Sequence, residues 1–445
     1  MEVVFLTKHS KSPKYWRKQF YFHIDQIGNN PDRSLIQGEA FTRKRKIDIP
    51  LNCRLIASMN SRSVRQQVQT HCQNKHIYFT ESAFCQSRQK FDHLLIKKAC
   101  LKFTQEVTEE STLYKGKYRL IGVDGSSFPI LPNPQEPQNL VFGNGRPHWQ
   151  IHFNAAYDLE NRYYLDYQVQ SAQDKNENSA ALNFVQQYNY SGVPVWICDR
   201  LYFSYELASQ IEQRGQKFLF RMKERNCIPL LPTGHPLDQE LDLESSRKLI
   251  HTQKAETKSQ PEIYKYVPKG SVSFITPEHP TLEFPYRIII ATIESQNEED
   301  GKPIRTTEYL LTNLSQEEFS TEEIKDLYHQ RWNIEVSFRD LKYVLHGKQV
   351  HSRSQNEIEQ EIDAAVMVYN LISVIAKCAS PRQPGNKYPY QTNRKALTEV
   401  VLAFLAGKAT QKEVIWTIVN VVLPIRKNRH FKRVKCSSIT TSTWN

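Results

Sequence analysis

Residues 118–128 read YRLIGVDGSSF, a short apolar run that ends at Asp124 and is bounded by Gly125, Ser126 and Ser127. A run of this length closed by turn residues predicts a buried strand. Downstream, HWQIHFNAAYD (148–158) alternates, turns at Leu159–Arg162 and returns as YYLDYQV (163–169), which predicts a hairpin. ENSAALNFVQQYN (177–189) has helical spacing, and VPVWICD (193–199) is a second apolar run ending in an aspartate, Asp199. FSYELASQIEQRG (203–215) predicts a helix stopped by Gly215, and KFLFRM (217–222) a further strand. The order β–β–β–α–β–α–β predicts a mixed α/β sheet.

Residues 224–307 interrupt this pattern. They are rich in Pro, Lys, Glu and Ser and carry strand-like pieces such as EIYKYV and YRIIIATIE, so they predict an inserted, largely β subdomain. EYLLTNL (308–314) resumes the sheet, and Ser320 with Glu323 forms a capping box that opens a helix from Ser320 to Lys342. With Tyr328 at zero and 100° per residue, Arg331 falls at about −60°, Glu335 at about −20° and Lys342 at about −40°. Leu327, Ile334, Phe338, Leu341 and Leu345 cluster beside that stripe and predict that it lies at the edge of a core. Ser354 and Glu357 predict a second capping box, opening a helix through Asn370 and Leu371.

Charge is distributed unevenly. Residues 1–117 hold 21 Lys+Arg against 10 Asp+Glu, residues 118–379 hold 26 against 35, and residues 380–445 hold 12 against 2. Two basic ends flanking an acidic middle point to a polyanionic partner, nucleic acid first, with solubilising surface charge as the plainer alternative. The N-terminal part reads as mostly helical, with basic clusters at Lys8–Lys18 and at Arg43, Lys44, Arg45 and Lys46. A helical pair follows at 61–91; its second helix starts near Thr80 and carries Arg88 and Lys90. Such a helix after a turn reads either as a major-groove reader or as an ordinary helical pair. Five regions follow: 1–117 helical and basic, 118–223 and 308–379 a mixed α/β core in two parts, 224–307 the insertion, and 380–445 a basic helical end.

No secretory signal is visible at the N-terminus, which predicts a cytoplasmic protein. Val414–Ile425 is too short for a membrane span and contains Asn420 and Pro424, so it predicts a buried helix. The eight cysteines lack paired spacing, which argues for reduced thiols and against zinc. Neither internal repeats nor low-complexity segments are present.

Taken singly, a strand-end aspartate also reads as a turn or cap residue, and Glu335 as an i,i+4 partner of Arg331. The combination is more specific. Two strand-end aspartates and a carboxylate framed by cations suit a site that holds Mg²⁺ ions against phosphates.

That combination resembles the DDE-type insertion-sequence transposases of the bacterial group marked by a Tyr-Arg-Glu-Lys signature. The spacing Tyr, two residues, Arg, three residues, Glu, six residues, Lys is met in full by Tyr328, Arg331, Glu335 and Lys342. CDRLYFSYELASQIEQRGQKFLFRMK around Asp199 is similar to the group's second-aspartate segment, and IGVDGSSF to its first, with Ser126 where Thr is common. EAFTRKRKIDIP and TESAFCQSRQKF resemble its N-terminal region, HSRSQNEIEQEIDAAVMVYNLI its C-terminal helix, and IRKNRHFKRVK, weakly, its basic end.

The resemblance implies an RNase H-like core with a β insertion. It implies Asp124, Asp199 and Glu335 as catalytic residues and ligands of two Mg²⁺ ions, with Mn²⁺ as a substitute, and Tyr328, Arg331 and Lys342 on DNA phosphates. Arg43, Lys44, Arg45, Lys46, Arg88 and Lys90 are expected to meet double-stranded DNA at terminal inverted repeats. A homodimer in a synaptic complex is the expected assembly, with no membrane. Some members of the group stack a flipped base on an insertion tryptophan; none lies in 224–307 here, leaving Tyr264, Tyr266, Phe274 and Tyr286 as candidates. The rival functions are an inactive or domesticated DNA-binding derivative and a host nuclease on the same core.

Overall fold

The computed structural model describes residues 11–59, 63–75, 77–143, 147–237, 239–296, 303–344, 350–385 and 387–426. Lys8, the basic end beyond 426, Cys436, Trp444 and Leu345 lie outside the described residues.

Five helices open the chain: α1 (Pro13–Asn29), α2 (Ile49–Ala57), α3 (Val64–Lys75), α4 (Glu81–Arg88) and α5 (Leu94–Glu109). Thr80 caps α4 by accepting from the Ala83 amide, as its position before the first helical turn predicts. Then come β1 (Tyr118–Pro129), β2 (Leu140–Val141), β3 (His148–Asp158), β4 (Tyr163–Ser171), α6 (Glu177–Gln187), β5 (Val193–Cys198), α7 (Tyr205–Gln213), β6 (Lys217–Arg221) and the short α8 (Glu224–Cys227). The stretch expected to be inserted carries β7 (Leu241–Ile250), α9 (Ala255–Lys258), β8 (Tyr264–Tyr266) and β9 (Thr281–Gln296). After it follow β10 (Pro303–Thr312), α10 (Thr321–Gln330), α11 (Trp332–Val344), α12 (Gln355–Ala376), β11 (Tyr390–Thr392), α13 (Arg394–Leu405), α14 (Gln411–Asn420) and β12 (Val422–Pro424).

The central sheet runs β4-β3-β1-β5-β6-β10-β9-β7-β8, with β2 also on β3. β3 is antiparallel to both of its neighbours, β4 and β1, while β1, β5 and β6 are parallel. Three antiparallel strands followed by two parallel ones, helices packed on them, make a mixed α/β sheet consistent with an RNase H-like core. The strands of the 224–307 stretch do not form a sheet of their own: β9 pairs along β10, which pairs with β6, so the central sheet continues into them.

α12 is the axis of the helical side. Eighteen of its residues are buried, and it packs on α5, α2, α1, α11 and β4. Asn370 shows how closely: its amide donates to Thr104 Oγ1 of α5 and to the Tyr164 carbonyl of β4, both at 2.8 Å.

Four expectations need correction. β1 does not end at Asp124 but runs on to Pro129, because β3 goes on pairing with it after β5 has stopped. The helix expected from Ser320 to Lys342 is interrupted at Arg331, where Arg331 N–H bonds to Tyr328 O and Ile334 N–H to Arg331 O in tightened i→i+3 turns. The box at Ser354 is not closed, since the Ser354 hydroxyl donates to the Glu357 carboxylate instead of accepting from its amide. The apolar run 414–425 is the latter part of α14 and then a short strand, β12, paired with β11. The seven described cysteines form no disulfide with one another, and among the described residues no helix is long and apolar enough to cross a membrane.

Candidate active site

The parallel register of β1 with β5 ends at Val123 opposite Cys198. Asp124 and Asp199 are each the next residue, so the register brings both to the point where the ladder ends. β1 carries on and β5 gives way to a turn, which opens a notch at the carboxyl edge of two parallel strands, where α/β sheets collect ligands.

α11 brings the third carboxylate. Its Ile334 packs over Gly122: a Cβ there would be in ordinary contact with Ile334 Cβ at 3.6 Å and too close to Leu159 Cδ2 at 2.9 Å. With Ile334 seated over Gly122, Glu335 in the first turn of α11 faces the notch. Arg331 spans the acids, its Nη1 3.6 Å from Asp124 Oδ2 and its Nη2 3.0 Å from Glu335 Oε1. The Tyr328 hydroxyl donates to Asp199 Oδ1 at 3.3 Å. Lys342 Nζ donates to Ser126 Oγ and to the Ser127 carbonyl, both at 3.0 Å, and lies 4.6 Å from the centre of the Phe128 ring. The interrupted helix therefore still gathers all four residues of the stripe around the 124–127 stretch of β1 and the end of β5.

Burial pushes the Asp124 carboxyl up to about 6; the Gly125 N–H and Arg331 pull against that, and Glu335 and Glu177 add to it. Burial likewise raises the Tyr328 phenol to about 12, so it stays a donor at neutral pH. Arg331 Nε is buried with no hydrogen-bond partner among the described residues, a donor held ready for an acceptor.

Asp124, Asp199 and Glu335 are hard oxygen donors with net negative charge only partly offset by Arg331, a set that fits divalent cations such as Mg²⁺. Among the described residues no group of three His, Cys, Asp or Glu side chains is gathered closely enough to hold an ion as it stands. Arg331 lies between two of the three acids instead.

The N-terminal cations divide. Arg43, Arg45, Lys46 and Lys90 line one groove of about 720 Å³ together with Phe41 and Phe79; Lys44 is exposed beside it. Arg88 does not belong with them. It is 2% exposed, its Nη1 is 3.0 Å from Glu361 Oε1, and it also donates to Gln360 Oε1 and to the Glu357 carbonyl. It anchors α4 to α12 and cannot reach a DNA groove. Among the proposed stacking residues, Tyr286 is buried with its hydroxyl on the Leu230 carbonyl, whereas Tyr266 is exposed.

Two features escaped the sequence. Trp332 is 54% exposed beside Arg331. Its helical angle of about +40° from Tyr328 lies outside the buried arc, a signal that was available. On the other face of β1, the His152 imidazole lies where a side chain at Gly125 would project: a Cβ there would be 2.4 Å from His152 Nε2. Glu177 Oε1 is 3.0 Å from that nitrogen, and the contact holds the Glu177 carboxyl below its ordinary range.

Two aspartates from neighbouring parallel strands thus lie near a third carboxylate from a packed helix. Residues 115–371 match the family described as the transposase DDE domain, more than half of the chain, and the protein belongs to that family. No curated protein matches the chain. Among solved structures, a piggyBac transposase synaptic complex with hairpin DNA, determined by cryo-EM, is similar at 10% identity and a TM-score of 0.45, over 94% of this chain and 88% of that one.

Proposed function

We propose that the protein is a cut-and-paste transposase of the bacterial insertion-sequence group with the Tyr-Arg-Glu-Lys signature, acting on double-stranded DNA at terminal inverted repeats. The observation that carries this reading is the bridge from Arg331 to Asp124 and Glu335, with Tyr328 on Asp199. Tyr328, Arg331 and Glu335 of the signature are thereby linked to Asp124 or Asp199 by direct side-chain contacts.

Asp124, Asp199 and Glu335 would hold two Mg²⁺ ions, or Mn²⁺ in their place. When bound, such a pair polarises the attacking and leaving oxygens of a phosphodiester. Water attacks the phosphorus at the element's end and frees a 3′-hydroxyl, which then attacks target DNA in the same notch. Arg331 presents its unpartnered Nε to a phosphate oxygen, Lys342 and the Tyr328 phenol orient the strand, and the exposed Trp332 indole offers a face on which a displaced base stacks. The groove of Arg43, Arg45, Lys46 and Lys90, with Lys44 beside it, binds the repeats through phosphate contacts that weaken as salt rises. Two ends held in one complex call for a homodimer on DNA.

Glu335→Gln tests the reading. It is expected to abolish strand cleavage on a duplex carrying the element's ends while leaving end binding in a gel-shift assay intact. Wild-type cleavage by this variant, or cleavage undiminished in EDTA, sinks the mechanism.

A further inference from the structure

A second cavity, of about 300 Å³, opens four residues beyond Asp199 and is lined by Phe203, Ser204 and Tyr205 at the start of α7, by Arg225, Asn226 and Pro229 after β6, and by Lys265, Pro268 and Ser271 at and beyond β8. Its volume is at the small end of ligand pockets, roughly 300–1,000 Å³. None of its nine lining residues is acidic, although residues 118–379 carry 35 Asp+Glu against 26 Lys+Arg.

Elsewhere in this part of the chain two arginines taken out of water sit on carboxylates: Arg287 pairs with Asp242 and Arg221 with Glu308. Lys265 is half-buried and makes neither a hydrogen bond nor an ion pair among the described residues, and burial alone pulls its ammonium below the ordinary range. A cation taken partly out of water without a partner is unfavourable unless an anion joins it. Arg225 is likewise unpaired among the described residues, and the side-chain amide of Asn226 makes no hydrogen bond there. The Ser204 hydroxyl accepts from Leu207 N–H and keeps its own proton to donate. Phe203 and Tyr205, edge to face at 5.3 Å, form an aromatic wall.

We propose that this cavity is a phosphodiester subsite for a DNA strand that leaves the notch past Asp199, with the phosphate on Lys265 and Arg225 and the adjoining sugar and base against Phe203. The inference rests on the transposase reading for the identity of the polyanion. Two strands have that chemistry, the DNA flanking the element and the target.

The test uses the full chain and a fluorescein-labelled 20-nucleotide single strand, followed by anisotropy from 50 to 300 mM salt. Lys265→Ala combined with Arg225→Ala is expected to weaken binding about tenfold. It is also expected to flatten the slope of log K against log salt by about 1.4, two phosphates at ~0.7 each on a single strand. Lys254→Ala with Lys258→Ala removes the same charge from exposed α9 and is expected to leave the slope nearly unchanged. An unchanged slope in the first variant, or an equal loss in the second, overturns the proposal. A photo-crosslinking residue at 203 then separates the sources. Labelling of the flanking strand or of the target strand assigns the occupant, and labelling of neither overturns the subsite. Binding is read without cleavage, so an inactive wild type would refute the mechanism and leave this result legible.

Discussion

Nη2 of Arg331, at the break between α10 and α11, lies 3.0 Å from Oε1 of Glu335 in the first turn of α11, while Nη1 of the same guanidinium reaches toward Asp124. The guanidinium thus stands between two of the three carboxylates proposed to hold a divalent ion, where it would compete with that ion. Arg331→Ala is expected to lower strand cleavage about 10²–10³-fold, the usual scale for losing a positioned electrostatic donor. Mn²⁺ affinity, measured by calorimetry without DNA, is expected to hold or rise, because a competing cation is gone. A fall in Mn²⁺ affinity parallel to the fall in rate would show that Arg331 builds the acid site and does not serve the DNA.

Trp332 contributes little to the core, being more than half exposed, so its replacement by alanine should leave the thermal midpoint within about a degree. If its face stacks on a displaced base, the loss is about 1–3 kcal/mol of binding to the opened end. The informative comparison is a substrate with an abasic site at the displaced position, where the variant and the wild type should converge. Equal losses on intact and abasic ends would remove Trp332 from that role.

Gly125 and His152 share one space. A Cβ at 125 would stand 2.4 Å from His152 Nε2 and 3.0 Å from Asn154 Oδ1, and the imidazole cannot swing away easily because it is buried, with Glu177 Oε1 3.0 Å from the same nitrogen. Gly125→Ala is expected to destabilise by about 1–3 kcal/mol, the ordinary cost of overpacking, read from the denaturant midpoint. Adding His152→Ala should recover part of that loss, a coupling that unrelated sites would not show.

Much of this fold was legible because strands and helices write their periods plainly. The hairpin of β3 and β4, the runs ending at Asp124 and Asp199, and the capping box at Ser320 all follow from local pattern. What local pattern could not supply was partnership. Arg88 and Lys90 are two residues apart on one basic segment, yet Glu361, distant in sequence, takes the first into the core while the second lines an open groove. The continuation of β1 past Asp124 likewise depends on β3, a pairing distant in sequence. The strands of the 224–307 stretch read correctly as strands, but their attachment to the central sheet through β10 is a long-range pairing that no local window contains.

Arg88 provides a direct check of that division. Its replacement by alanine leaves Glu361 buried without its guanidinium, and breaking a buried pair costs about 3–5 kcal/mol. The expected result is a lower unfolding midpoint with the salt dependence of DNA binding unchanged in whatever folds. Arg43→Ala with Arg45→Ala should do the reverse, flattening the salt dependence by about 0.9 for each phosphate of the duplex left unneutralised while leaving the midpoint alone.

His93 sets a pH limit on the same helical seam. Its Nδ1 is 3.0 Å from Asp363 Oδ2 and its Nε2 2.8 Å from Glu359 Oε2, and only the imidazolium donates from both nitrogens. Burial pulls the ring toward neutrality, but the bonds to Asp363 and Glu359 outweigh it and raise the pKa to about 10. Asp363, fully buried, is itself pushed up by that burial despite its contact with His93. Two carboxylates on one ring make the raised imidazolium the governing direction. Its folded pKa exceeds the unfolded value of about 6.5, so the stabilisation is complete below about pH 6.5 and is lost as pH rises through about 10. The unfolding free energy of wild type minus that of His93→Gln should therefore be largest near pH 6 and shrink toward about pH 10–11. A difference that stays constant across that range would mean the ring is neutral in the folded protein.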